Sequence, residues 1–171
     1  INPGLLINDI HSHLIPGIDD GSTEMETTIS LLEKFIELGY QKVITTPHIM
    51  SDYYKNTPEI IHRGLEDVKN EIEKRNLKIA IEAAAEYNLE PEFEKLVANK
   101  NILTFGKEQY VLFELSFFDE PPRINEVIWQ MREKGYCPVL AHVERYAYWH
   151  QDQDKIEEMI KFLADISNKE D

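Results

Sequence analysis

The stretch Asn8-Asp9-Ile10-His11-Ser12-His13 sets two imidazoles two residues apart, directly after the apolar run Leu5-Leu6-Ile7. Side chains two apart on a strand point to the same face. His11 and His13 therefore face one way, with Asp9 behind them, as half of a metal site. One His-x-His alone is equally well a pair of buried histidines bonded to backbone. Here, however, four later strand-like segments also end in a ligand-type residue: His48, Glu86, Glu114 and His142. With Asp20 in the turn after the first strand, the candidate ligands are His11, His13, Asp20, His48, Glu86, Glu114 and His142.

Imidazoles mixed with carboxylates suit zinc, manganese or iron, whereas calcium takes oxygen donors alone. So many ligands exceed one tetrahedral ion, so two or more ions are expected. Ions a few ångströms apart lower the pKa of a shared hydroxide and hold the oxygens of a phosphate ester. The expected reaction is phosphoester hydrolysis. Arg145, close behind His142, is placed to bind phosphate bidentately; the plainer reading is a surface ion pair. Tyr146, with Tyr148 and Trp149, either lines an aromatic substrate pocket or packs in the core, the commoner use of such a cluster. Cys137 does not fit a cysteine phosphatase, whose thiolate needs an arginine six residues on: position 143 is Val, and Arg145 is eight away. Cys137 precedes Pro138 at the start of a strand and reads as packing. His62 reads as solvated, and His150 is undecided.

The elements that must position these groups alternate. Thr23 and Glu26 have the spacing of a capping box before a helix buried through Ile29, Leu32, Phe35 and Ile36 and stopped at Gly39. Val43 to Thr46 is a β-branched strand ending at Pro47-His48. Thr57-Pro58 opens a helix to about Arg75. Lys78 to Ala85 reads as a third strand ending at Glu86, and Pro91 opens a short helix. Tyr110 to Phe113 is a fourth strand ending at Glu114. Pro121-Pro122 opens a helix that Gly135 ends. Pro138 to Ala141 is a fifth strand ending at His142, and a helix follows from about Asp152 to Ala164. Alternating strands and helices imply right-handed crossovers and a parallel α/β sheet. In α/β barrels, active sites are built at the end of the sheet where these polar residues lie.

The 171 residues suit one domain, 1–171, without an internal repeat or linker. The 42% hydrophobic and 29% charged content is that of a soluble globular protein. No apolar run reaches the length of a membrane span. The N-terminus lacks the basic region of a signal peptide, and Ile1 in place of Met points to a processed or trimmed product. One cysteine excludes an internal disulfide and fits the cytoplasm. The net charge of −14 argues against nucleic acid; bound cations would offset part of it and so admit an anionic substrate.

The ordered segments Asp-Ile-His-Ser-His, Asp-Asp-Gly, Thr-Pro-His, Ala-Glu-Tyr, Phe-Glu-Leu-Ser and Ala-His-Val-Glu-Arg-Tyr resemble the PHP (polymerase and histidinol phosphatase) superfamily. More narrowly, they resemble the bacterial protein-tyrosine phosphatases of capsule and exopolysaccharide loci, from about Asn8 to Trp149. The resemblance implies a distorted seven-stranded (β/α)7 barrel, of which about five units are evident here. It also implies two or three divalent ions, often manganese, zinc or iron, held by the ligands named above. Arg145 matches the phosphate-binding arginine, with Tyr146 as a further substrate-binding candidate. The implied partner is a phosphotyrosine protein, the tail of a tyrosine autokinase that controls polysaccharide export. The chain departs from the pattern where the family's last barrel strand ends in Asp-x-His; Phe162 to Ser167 vaguely resembles that segment, with Ser167 in place of His. The domain is therefore expected to be incomplete at its C-terminal end. Two other readings stay open: a histidinol-phosphate-type phosphatase, and a metal-poor PHP domain acting as a binding or regulatory module.

Overall fold

The computed structural model describes residues 8–150 and 152–164. The chain divides into two compact units, Ile1–Glu86 with Leu103–Phe105, and Tyr87–Ile102 with Gly106–Asp171. In the first unit, β1 (Asn8–Ser12), β2 (Lys42–Thr45) and β4 (Ala80–Ala83) form a parallel sheet in the order β1-β2-β4. Helix α1 (Met25–Glu37), the two-residue strand β3 (His48–Ile49) and helix α2 (Pro58–Lys74) lie between them in sequence. Val43 of β2, Leu32 of α1, and Ile61 and Val68 of α2 are fully buried in this unit's core. Such a parallel sheet needs its crossovers to run through helices, as the alternation in sequence implies.

The second unit begins within β5 (Glu86–Asn88) and continues through α3 (Pro91–Ala98), β6 (Tyr110–Glu114), α4 (Ile124–Glu133), β7 (Cys137–Leu140) and α5 (Gln153–Ala164). β6 lies between β5 and β7 and pairs with β7 in parallel, Tyr110 opposite Cys137 and Phe113 opposite Leu140. Phe93, Val97, Val111, Phe113, Val127 and Ile128 form its core. The architecture is thus α/β with parallel sheets. Among the described residues no helix is long and apolar enough to cross a membrane.

Three local expectations change. The third strand is two: β4 stops at Ala83 and β5 begins at Glu86. Pro47 explains the break, because it has no N–H to give a neighbouring strand. The chain keeps only acceptor bonds there, from Ala84 N to the Thr45 carbonyl (2.9 Å) and from Glu86 N to the Pro47 carbonyl (3.1 Å). The Thr23–Glu26 capping box does not form: α1 starts at Met25 with Glu24 at its N-cap and no side-chain cap. Ser22 takes the local role instead, its hydroxyl bonding the Glu24 carbonyl (3.0 Å) and the Thr28 hydroxyl (2.7 Å). Helix α4 starts at Ile124, not at Pro121-Pro122, since a residue before proline avoids the helical region. Thr57 does cap α2, accepting from Ile60 N. Gly39, at φ 92°, closes α1 with bonds from Gly39 N to Ile36 and from Tyr40 N to Phe35. Asp165 to Ser167 of the Phe162–Ser167 segment lie outside the described residues.

Helix α2 meets the loop after β1 without a side chain at Gly64. A Cβ there would stand 2.2 Å from Ile15 Cγ2. Ile15 is 1% exposed, and its γ carbon sits on a stiff branched Cβ. Gly64→Ala should therefore cost about 1–3 kcal/mol in overpacking, against the roughly 1 kcal/mol that alanine gains in a helix, and lower the urea midpoint. A midpoint that rises would mean that the loop carrying Ile15 yields freely.

Candidate metal centre

The backbone around His13 is fixed by hydroxyls from neighbouring elements. The Ser12 carbonyl accepts from Thr46 N (2.6 Å) and the Thr45 hydroxyl (3.0 Å), and that hydroxyl accepts from Leu14 N (2.8 Å). The His13 carbonyl accepts from Ser22 N (3.0 Å), and the Leu14 carbonyl from the Thr28 hydroxyl (3.0 Å). The turn after the strand folds on Asp19, whose Oδ1 accepts from Gly21 N at 3.0 Å. Gly21 admits no side chain: its Cβ would lie 2.2 Å from His13 Cβ and 2.5 Å from the His13 carbonyl.

These constraints gather five of the expected ligands in the first unit. The Glu86 carboxylate, with no solvent exposure, lies 3.1 Å from His11 Nε2, 3.2 Å from His13 Nε2 and 3.5 Å from His48 Nδ1. The His13 and His48 rings meet edge-on at 4.6 Å, and His11 and His13 lie 5.7 Å apart. Asp20 Oδ1 is 3.5 Å from His48 Nε2 and 3.8 Å from His13 Nδ1. One donor atom each from His13, Asp20 and His48 fall within 4.8 Å of one another. That is close to the span across one ion with bonds of about 2.0–2.2 Å. Neutral imidazole and carboxylate donors at this spacing fit zinc, manganese or iron.

Three supporting residues were not marked by the sequence reading. Asp19, fully buried in its side chain, binds His13 Nδ1 at 2.7 Å and accepts from His48 N at 3.0 Å. It stood beside Asp20 in the same turn, and nothing in residue type separates ligand from orienting carboxylate. Tyr54 stacks on His48 with centroids 5.4 Å apart and planes 11° apart. Asn56 Nδ2 donates to the Ile18 and His48 carbonyls at 2.9 and 2.8 Å, tying the two loops together.

Burial works to lower the His13 pKa, but the hydrogen-bonded Asp19 and Glu86 outweigh it and lift it to about 10. Burial likewise works to raise the Glu86 and Asp19 carboxyls, yet their imidazole and amide partners hold both below the ordinary carboxylate value. Burial pushes His48 down, leaving it neutral near pH 7.

The second unit holds the remaining candidates. Glu114 ends β6 at 4% exposure, its carbonyl accepting from Leu89 N at 2.9 Å. His142 follows β7 in the left-handed region, φ 56°, and opens a 3₁₀ turn over Val143–Arg145. A non-glycine residue held there carries strain, of a kind that gathers at functional sites. Arg145 is exposed, with its guanidinium carbon 5.7 Å from the Phe117 ring centroid. Tyr146 is a core residue and not an open substrate contact. It is 0% exposed, and its hydroxyl donates to the Ala141 carbonyl (2.6 Å) and accepts from Leu115 N (3.1 Å). Trp149 is buried against it, so the packing reading holds for both. Cys137 is half-buried at the start of β7. His62 is exposed, and His150 donates to the Glu144 carbonyl at 2.8 Å.

The family model for capsular polysaccharide synthesis, CpsB/CapC, matches residues 7–168. The tyrosine-protein phosphatase YwqE of Bacillus subtilis (strain 168) is 28% identical over 137 residues, 80% of this chain and 54% of that protein. The tyrosine-protein phosphatase CpsB of Streptococcus pneumoniae is 30% identical over 155 residues, 89% of this chain and 63% of that protein. The chain thus spans 54% to 63% of the length of these relatives. A chain from the crystal structures of YwqE from Bacillus subtilis and CpsB from Streptococcus pneumoniae, described as metal-dependent tyrosine phosphatases, superposes with a TM-score of 0.83. It is 24% identical, over 91% of this chain and 63% of that one, a likeness that speaks for the fold.

The raised His13 pKa sets the pH dependence. Its folded value of about 10 exceeds the ordinary 6.5, so the protonated imidazole stabilises the metal-free chain fully below about 6.5. That contribution fades as pH rises through about 10. An ion bound by His13 must displace this proton. Below about pH 10 the apparent metal affinity should therefore climb about tenfold per pH unit. Calorimetry at pH 8 in buffers of differing ionisation enthalpy should show about one proton released. Identical heats in all buffers would mean that His13 has no proton to lose.

Proposed function

The chain belongs to the capsular polysaccharide synthesis CpsB/CapC family, and from that premise we propose that it is a metal-dependent phosphatase of protein phosphotyrosine. The observation that carries this reading is the cluster of His11, His13, Asp20 and His48 around the buried Glu86 carboxylate. In this reading residues 1–171 form a single PHP domain, and the strand–helix units belong to a distorted (β/α)7 barrel. Two or three manganese, zinc or iron ions are the cofactors. Glu114 and His142 are ligands as well. The substrate is the phosphorylated tail of a tyrosine autokinase in the cytoplasm.

When bound, the ions supply Lewis acidity and a nucleophile from water at neutral pH. The chain's own residues set the conditions for that chemistry. Asp19 on Nδ1 of His13 fixes the ring's tautomer and leaves Nε2 as the ligand atom. His48, held neutral by burial and flat by Tyr54, needs no proton removed before it binds. Glu86 brings a negative charge with no solvent exposure of its own, where a cation is attracted more strongly than in open water. Arg145 offers a planar pair of donors to the phosphoryl oxygens, which a lysine cannot match.

Hydrolysis of a phosphotyrosine peptide should require divalent metal and stop with chelator. Cys137→Ser should leave it intact, while His13→Ala should abolish it together with metal binding. A chelator-insensitive activity lost with Cys137 would replace this mechanism by a thiol one.

Arg145→Ala should keep the metals and cut turnover by about a hundred- to a thousandfold, the usual loss for one donor to a developing charge. Lys at the same position should restore only part of it. Full turnover in the alanine variant at equal metal content would remove Arg145 from the mechanism, and loss of metal would make it a support of the site.

A further inference from the structure

We propose that Phe117 and Phe118 form an aryl-recognition surface, which receives the phenyl ring of the substrate's phosphotyrosine beside Arg145. The proposal rests on the phosphotyrosine reading above and adds the residues that would tell an aryl phosphate from an alkyl one.

Phe118 is 95% exposed and Phe117 40% exposed, consecutive residues in the loop after β6. Exposed phenylalanines on a loose loop would mean little, but this loop is fastened. The Ser116 carbonyl accepts from the Tyr148 hydroxyl at 2.9 Å, and the Ser116 hydroxyl accepts from Phe118 N at 3.2 Å and reaches Asp119 Oδ1 at 3.4 Å. The Phe117 ring stacks on buried Tyr146, with centroids 5.9 Å apart and planes 23° apart. The loop backbone and the Phe117 ring are therefore held in place, with both phenylalanines at the surface.

The neighbours of the Phe117 ring identify the occupant. His142 is tilted at 58° to the Phe117 ring, 6.3 Å away, and the Arg145 guanidinium lies over it. Among the described residues Arg145 makes no ion pair, so its charge is available to an anion. A cation beside open aromatic rings complements a ligand that is anionic at one end and aromatic next to it. Phosphotyrosine has that order of groups. Phosphoserine offers the anion alone, and gains nothing from Phe117 or Phe118.

Paired peptides of one sequence, carrying phosphotyrosine or phosphoserine, test this by calorimetric binding to the metal-loaded protein. Wild type should prefer phosphotyrosine. Phe118→Ala and Phe117→Leu should each shrink that preference about three- to tenfold, the scale of one aromatic contact. Trp129→Ala, an exposed aromatic of α4, should leave it unchanged. Phe118 is almost wholly in solvent, so its removal leaves the core intact even where the Phe117 variant fails to fold. An unaltered preference in the Phe118 variant, or no preference in wild type, overturns the proposal. Because binding is read apart from turnover, a protein that binds as expected but hydrolyses neither peptide would sink the phosphatase reading alone.

Discussion

A carboxylate with no solvent exposure must be paired or neutral, and Glu86 is that carboxylate. Ionised and unpartnered, it would cost several kcal/mol in so dry a place. Three imidazoles from two separate stretches of chain, His11 in β1 with His13 just after it and His48 at β3, close on it within 3.5 Å. In the metal-free chain the proton on His13 answers part of that charge. A divalent cation in the same place answers more of it and needs no proton there. The positions of β1, β3 and the start of β5 are thus tied to one electrostatic requirement. The hydroxyls of Thr45, Thr28 and Ser22 that fix the His13 backbone hold the donors close enough to meet it.

Much of this was legible because it rests on short-range rules. The period-two spacing of His11 and His13, the β-branched Val43 to Thr46 and the proline-led helices each follow from local sterics. Parallel sheets follow from alternation. What escaped depends on partners distant in sequence. Pro47 breaks the ladder of a strand some forty residues on, so Lys78 to Ala85 could not be divided by inspecting Lys78 to Ala85. The Thr23–Glu26 spacing is right for a capping box, but Ser22 and Thr28 spend their hydroxyls on Leu14 and on each other, and the helix begins at Met25 with Glu24, not Thr23, at its N-cap.

The site was read less evenly than the fold. Type and position marked the metal candidates, because histidine and carboxylate at strand ends are uncommon without purpose. Orientation was invisible. Asp19 and Asp20 are adjacent and identical in chemistry, yet one is buried on His13 Nδ1 and the other is 62% exposed in its side chain. Tyr146 follows Arg145 directly, yet the 3₁₀ turn sends one to solvent and the other into the core. The left-handed backbone of His142 is a conformation that histidine type alone does not announce.

The overall charge sharpens what recognition must accomplish. A chain with 32 acidic and 18 basic residues repels a phosphorylated peptide at long range. At physiological salt that repulsion is screened beyond about 8 Å. If the chain acts on phosphotyrosine as proposed, attraction for the substrate has to be local, from cations at the imidazole–carboxylate cluster and from Arg145. Charge of that kind grips any phosphate ester alike, serine or tyrosine. Selectivity then falls to uncharged contacts, where direct burial of an aromatic ring discriminates and net charge does not. That division of labour gives the acidic surface a use as well. On that proposal a net charge of −14 disfavours phosphate-rich polymers such as nucleic acid, which bind through many weak ionic contacts, while a single ester is left to the few groups that would hold it.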